Sequence, residues 1–154
     1  MMVNSTFERE LAERGRLVYP NTGVSMLPLL REHRDLMVIE PRPAGRLRVG
    51  DAVLFRRGNR YVLHRVLRVR RTDYVIVGDN QRVPERGVKD EQILGILTAV
   101  IRDGRQWEVS SPWMRLYGLG CVVFFPARYV LFLFRDGWRI ARHKLLQKAK
   151  DGTA

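Results

Sequence analysis

From residue 36 to residue 109 the chain carries short runs of Val, Ile, Leu and aromatic residues separated by turn residues, with no polar period of helical length. Residues 36–40 form an apolar run ended by Pro41 and Pro43, and Gly50-Asp51 opens a second run at 52–55. Gly58-Asn59 and Asp103-Gly104 are hairpin turn signals. Around them lie strand-like stretches at 61–70, 74–77, 93–102 and 106–109. The pattern predicts a mainly β, barrel-like domain. Ahead of it, Ser5 and Glu8 have capping-box spacing, Phe7 and Leu11 fall four apart, and Gly15 is a stop signal. A short amphipathic helix is expected over 6–14. Tyr19 to Gly23 reads as turn material. After 110 the character changes: 116–134 is strongly apolar and aromatic, and 135–150 carries six basic residues against the single acid Asp136. The organisation expected is an N-terminal helix at 1–18, a β domain at 19–110, and an apolar, aromatic and basic segment at 111–154.

Composition narrows the function classes. The chain has 154 residues and 45% hydrophobic content, enough for a real core. One cysteine, Cys121, permits no internal disulfide, and one Cys with three His gives no recognisable metal-ligand spacing. No metal or other cofactor is expected. The formal net charge of +12 favours polyanionic surfaces, nucleic acid or anionic lipid. Residues 5–16 carry Glu8, Arg9, Glu10, Glu13, Arg14 and Arg16, which excludes the apolar core of a secretory signal there.

Two segments carry candidate chemistry. In Gly23-Val24-Ser25-Met26-Leu27-Pro28 a hydroxyl follows a glycine able to take an unusual backbone path, and Pro28 stiffens the exit. In Leu63-His64-Arg65-Val66 strand alternation puts Val62, His64 and Val66 on one face and Tyr61, Leu63 and Arg65 on the other. A serine needs a base to become a useful nucleophile, and an imidazole titrates in the right range. Taken alone, the serine is more commonly a turn cap and the histidine a satisfied core residue. His33, in a charged turn, and His143, in the basic tail, read as solvated. Among nearby acids, Asp79 in Gly78-Asp79-Asn80, Glu85 and Asp90 are within reach in sequence, and any acid that orients an imidazole completes a triad.

Taken together, these segments resemble the type I signal peptidase family. The nucleophile box (Gly23 to Pro28), the strand Val49-Gly50-Asp51-Ala52-Val53-Leu54-Phe55, the base box Leu63 to Val66, Gly78-Asp79-Asn80 and the closing Ile93-Leu94-Gly95 occur in the family's order and cover about residues 19–102. Histidine at the base position is similar to the endoplasmic-reticulum, archaeal and sporulation-type enzymes. The resemblance implies a serine endopeptidase with Ser25 as nucleophile, His64 as general base and the Ser25 backbone N–H toward the oxyanion. Glu85 or Asp79 would be the orienting acid, and Met26 and Pro28 would lie beside the substrate. It implies a precursor protein or peptide as partner, cut from its signal or leader peptide. Three features depart from the family: Glu85 stands where an aspartate is usual, Gly23 stands where some members have a hydroxyl residue, and no N-terminal anchor precedes the domain.

The apolar stretch raises the question of a membrane. Eleven Leu, Val or Phe residues lie in 116–134. Each favours insertion by about 0.3–0.6 kcal/mol, and a central Arg128 opposes it by about 2.5–3.5 kcal/mol. Pro126, Gly118 and Gly120 weaken a span further, so the balance is marginal. The alternative is a core-packing helix pair broken at Pro126. Membrane association through 113–150 is expected, with Trp113, Tyr117, Tyr129 and Trp138 at headgroup level and the basic tail on anionic lipid. A maturation peptidase working beside a peptide exporter fits the same features. Two competing readings stand. A self-cleaving repressor-type protease shares this kind of catalytic domain, yet only 24 residues precede Ser25. A basic binding module without catalysis would use Arg56, Arg57, Arg60, Arg68, Arg70 and Arg71, although a solvated sheet face is the commoner role for such residues. No nucleic acid is expected as a partner.

Overall fold

The computed structural model describes residues 6–132 and Phe134. Helix α1 (Thr6–Arg14) stops where Gly15 takes φ +64° and donates its N–H to Leu11 O. Ser5, the cap expected for it, lies outside the described residues. Eight strands follow: β1 (Leu17–Pro20), β2 (Asp35–Pro41), β3 (Ala52–Arg57), β4 (Arg60–Val69), β5 (Tyr74–Val77), β6 (Glu85–Val88), β7 (Ile93–Arg102) and β8 (Arg105–Glu108). Helix α2 (Pro112–Val123) closes the β unit. The fold is mainly β: one antiparallel half-barrel sheet in the order β1-β2-β7-β3-β4-β5-β6, with β8 on β7.

The two hairpin signals are the β3–β4 and β7–β8 turns, the second with Asp103 and Gly104 both at positive φ. Two strands depart from the sequence expectation. β1 takes in Tyr19 and Pro20, expected as turn, and Glu85–Val88 forms β6 from a polar stretch with no strand signal. Alternation builds two apolar layers. Leu54, Leu63, Met37, Leu97 and Met26 share one, with Leu11 of α1 inserted. Val53, Phe55, Val66, Ile76 and Tyr74 share the other.

Two compact units meet at Val122/Val123, so the segment expected from 111 onward is divided. The first contains the sheet and α2 through Val122. The second contains a helix at Phe125–Phe132. The interruption falls at Phe124 rather than at Pro126, which sits in the first turn of the second helix, where its missing N–H costs nothing.

Candidate active site

The loop bearing Ser25 leaves edge strand β1 and is tied at its base. Buried Asn21 donates its side-chain amide to Gly23 O at 2.7 Å, and its backbone N–H donates to Asp35 O. Asp35 is fully buried and accepts hydrogen bonds from Arg102 at 2.6 Å and from the Arg31 N–H at 2.8 Å. Burial alone would raise its carboxyl. The bonds from Arg102 and Arg31 outweigh that and hold it well below the usual carboxylate range. Arg102 also donates to Leu29 O, so one buried anion organises the far side of the loop. The Leu27–Pro28 peptide is cis.

The glycine that matters most here is Gly78, not Gly23. Gly23 has no positive φ and has open space around it. A Cβ on Gly78 would stand 2.6 Å from Ser25 O and 3.1 Å from Ser25 Cβ. Asn80 completes the clamp: its N–H donates to Ser25 O at 2.7 Å and its side-chain amide to Val24 O at 3.2 Å.

Register sorts the remaining groups onto two faces. Arg65 pairs with Val77 and Val66 with Ile76. One further step puts Gly78 opposite His64, and opposite residues of an antiparallel pair share a face. Ile76 pairs with Glu85, which brings that carboxylate to the same face. His64 and Glu85 therefore share one side. Arg65 and Asp79 fall on the other side, because consecutive strand residues point oppositely.

His64 is only 1% exposed, packed against the Phe55 ring. Its Nδ1 lies 3.0 Å from Glu85 Oε1, a close polar contact that lacks the alignment of a directed hydrogen bond. Its Nε2 has no hydrogen-bond partner among the described residues. No hydrogen bond joins Ser25 Oγ to the imidazole. Burial is the main influence on His64 and lowers its pKa. The Glu85 charge opposes this, and Arg57, itself 2.9 Å from Glu85, adds to the lowering. The imidazole is accordingly held neutral, the form a general base requires.

The acid left undecided between Glu85 and Asp79 is separated by contact. Glu85 touches the imidazole. Asp79 is engaged by Arg65 through Nε at 2.7 Å and Nη2 at 2.6 Å, a bidentate pair with both side chains almost fully buried. Asp79 acts on His64 as a charge through space, while its carboxylate is bonded by Arg65 and Tyr117. Asp90, the third acid, bonds Tyr74 Oη at 2.7 Å away from the site.

A cavity of about 380 Å³ opens beside Ser25. Its walls are Tyr19 of β1 with the loop from Asn21, and residues 60–63 of β4; Met37, Leu54 and Met26 form the floor, and Phe7 closes one end. Both walls are unpaired strand edges. Among the described residues β1 pairs only with β2, and β5 covers β4 only from residue 65 onward. Pro28, expected beside the substrate, is exposed and does not border this cavity, because the chain has already turned away. Met26 does border it, as a buried floor residue.

Other expected features can be placed. His33 is exposed at positive φ, and His143 lies outside the described residues. Of the six arginines considered for nucleic acid, Arg56 pairs with Glu8, Arg57 with Glu85 and Arg70 with Asp73, which leaves no continuous unpaired basic face from that set. Tyr117 is half-buried and donates its hydroxyl to Asp79, whereas Trp113 is 80% exposed. Trp138 lies outside the described residues. Among the described residues no single helix is long and apolar enough to cross a membrane. Comparisons with protein-family models, with curated proteins and with solved structures returned no match.

Proposed function

We propose that this chain is a serine endopeptidase of signal-peptidase type that cuts an extended segment of a precursor protein or peptide. The observation that carries the reading is a buried imidazole with a carboxylate at Nδ1 and an unpartnered Nε2, on the strand that borders an open-edged cavity lined by a loop serine. A buried polar atom without a partner costs about 1–3 kcal/mol. Such atoms call for a functional explanation. A serine proton is the missing partner.

In this scheme Ser25 Oγ attacks the scissile carbonyl carbon while its proton passes to His64 Nε2. The carbonyl oxygen becomes an oxyanion, held by backbone N–H at Ser25. The tetrahedral adduct collapses, the C–N bond breaks, and the leaving amine takes the proton from Nε2. Water then attacks the acyl-Ser25 ester, giving its proton to His64, and the acid product leaves as Ser25 Oγ is reprotonated. Glu85 stabilises the imidazolium formed in each half-reaction. Backbone groups on the two open edges suit addition of an extended peptide as a strand between them.

Helix α2 offers the membrane-facing surface. Trp113, Leu116 and Leu119 are 80%, 61% and 49% exposed, and the sequence continues apolar to 134 and basic thereafter. An anionic bilayer fits this order of apolar face and positive charge. The deciding experiment is cleavage of a library of extended peptides by the full chain and by Ser25→Ala. Turnover lost in the variant, with unchanged folding, supports the proposal. Equal turnover ends it.

A further inference from the structure

Helix α2 lies after every segment of the candidate site in sequence, yet it reaches the clamp around Ser25. Tyr117 Oη donates to Asp79 Oδ2 at 3.0 Å. Burial, reinforced by the Asp79 charge, pushes the phenol far above its ordinary pKa, so it remains a donor. The Asp79 carboxylate already receives two bonds from Arg65, whose Nη1 also donates to Gly50 O at 2.7 Å. The tyrosine bond is therefore not needed to neutralise the acid. What it adds is a link from the helix to the 78–80 turn. The approach is close enough to require glycine: a Cβ on Gly118 would stand 2.8 Å from Arg65 Nη1 and 3.2 Å from Gly50 O. The Arg65 guanidinium lies 5.4 Å from the centre of the Tyr117 ring. On either side of Asp79 stand the groups that hold the nucleophile, Gly78 against Ser25 and Asn80 bonded to Ser25 O and Val24 O.

We propose that Tyr117 is a positioning residue for Ser25: through Asp79, the seating of α2 on the sheet sets where the 78–80 turn holds the nucleophile loop. The inference rests on the peptidase reading and extends the site to a helix that touches none of the reacting atoms. Tyr117→Phe is the clean perturbation, because it keeps the ring beside Arg65 and leaves the Arg65–Asp79 pair intact.

The test uses the full chain, a cleavable extended peptide and a fluorophosphonate probe that reports Ser25 reactivity. Because a fraction of an ångström at the nucleophile is costly, kcat and the probe reaction of Tyr117→Phe should both fall roughly tenfold. KM and the acid limb of the pH profile should stay at wild-type values, since Tyr117 contacts neither the cavity nor His64. A merely structural tyrosine would lower the melting temperature and leave kcat and probe reactivity of the folded fraction unchanged, and that outcome overturns the inference. If Tyr117→Phe does not fold, Gly118→Ala lifts the same helix while retaining the hydroxyl; wild-type kcat in that variant overturns the inference as well. Ser25→Ala separates the two levels. An inactive Ser25→Ala beside a fully active Tyr117→Phe sinks only the positioning role, whereas a fully active Ser25→Ala sinks the peptidase reading itself.

Discussion

Gly78→Ala probes the placement of Ser25 without touching a reacting group. The new methyl would stand 2.6 Å from Ser25 O, 3.1 Å from Ser25 Cβ and 3.1 Å from Gln81 Cγ. Carbon contacts are most favourable at about 3.5–4.0 Å, so relief requires Ser25 to retreat by roughly half an ångström or more. The loops cannot simply slide apart, because Asn80 N–H holds Ser25 O at 2.7 Å and stretching that bond forfeits part of about 0.5–1.5 kcal/mol. Overpacking of this kind costs about 1–3 kcal/mol of stability. A displacement of 1 Å at a reacting group can cost about 10²-fold in rate, so half of that predicts about a tenfold loss in kcat. KM should change less, since the cavity walls at Tyr19 and residues 60–63 do not include Gly78. Steady-state cleavage of an extended peptide, with thermal unfolding run on the same samples, separates the two effects. A Gly78→Ala protein that melts lower yet keeps wild-type kcat would refute the claim that this contact sets the nucleophile.

The pH dependence follows from the burial of His64. Its folded pKa lies below the unfolded value of about 6.5, so the neutral base survives to lower pH and the acid limb of kcat/KM should fall below that value. By the same sign, stability should decline as pH drops from about 6.5 toward the folded pKa, because the unfolded chain takes up the proton first. An acid limb above 6.5 in a pH–rate profile would contradict the buried, neutral imidazole. For the bilayer, Trp113→Ser combined with Leu116→Ser should weaken co-sedimentation with anionic vesicles roughly tenfold or more, as immersing a large apolar side chain is worth about 1.5–3 kcal/mol. Equal binding by the double variant would remove α2 from the membrane surface.

Much of the sheet could be read from the chain because its signals are local. The turns at Gly58-Asn59 and Asp103-Gly104 and the run at 93–102 are set by neighbours in sequence. β1 was hidden because Pro20-Asn21 announces a turn; as an edge strand it tolerates the proline, whose missing N–H breaks no ladder. β6 was hidden because Glu85-Arg86-Gly87-Val88 has an exposed, polar middle and becomes a strand only by pairing with β5. At the site, alternation placed His64 and Arg65 on opposite faces. Choosing between Glu85 and Asp79 required the register of β4, β5 and β6, which no local pattern carries. Gly23 drew attention by adjacency to Ser25, while Gly78, 53 positions farther on, meets the serine through tertiary approach. Tyr117 read as an interfacial aromatic because its bond to Asp79 spans 38 residues.

The open edge and the unpartnered Nε2 of His64 are best understood together. β4 is ten residues long and β5 only four, with a register shift between Val66 and Arg68, so residues 60–63 keep bare backbone on one side. Exposed strand edges invite unwanted pairing, and proteins usually shorten or cover them. Here the cover is partial: Phe7 packs 4.6 Å from the Tyr19 ring and 5.3 Å from the Tyr61 ring, one on each wall, and Glu8 bonds Tyr61 Oη. These contacts close the cavity at Phe7. His64, the next residue of β4, carries a buried Nε2 that is also without a partner. Two separate polar deficits, one of backbone and one of side chain, thus coincide within one short stretch of β4. A strand-like peptide laid along residues 60–63 would relieve the first and present its carbonyl to Ser25. The serine proton moving to Nε2 would then relieve the second. A purely structural histidine would predict neither the bare edge next to it nor the glycine at position 78 that lets the Ser25 backbone approach so closely.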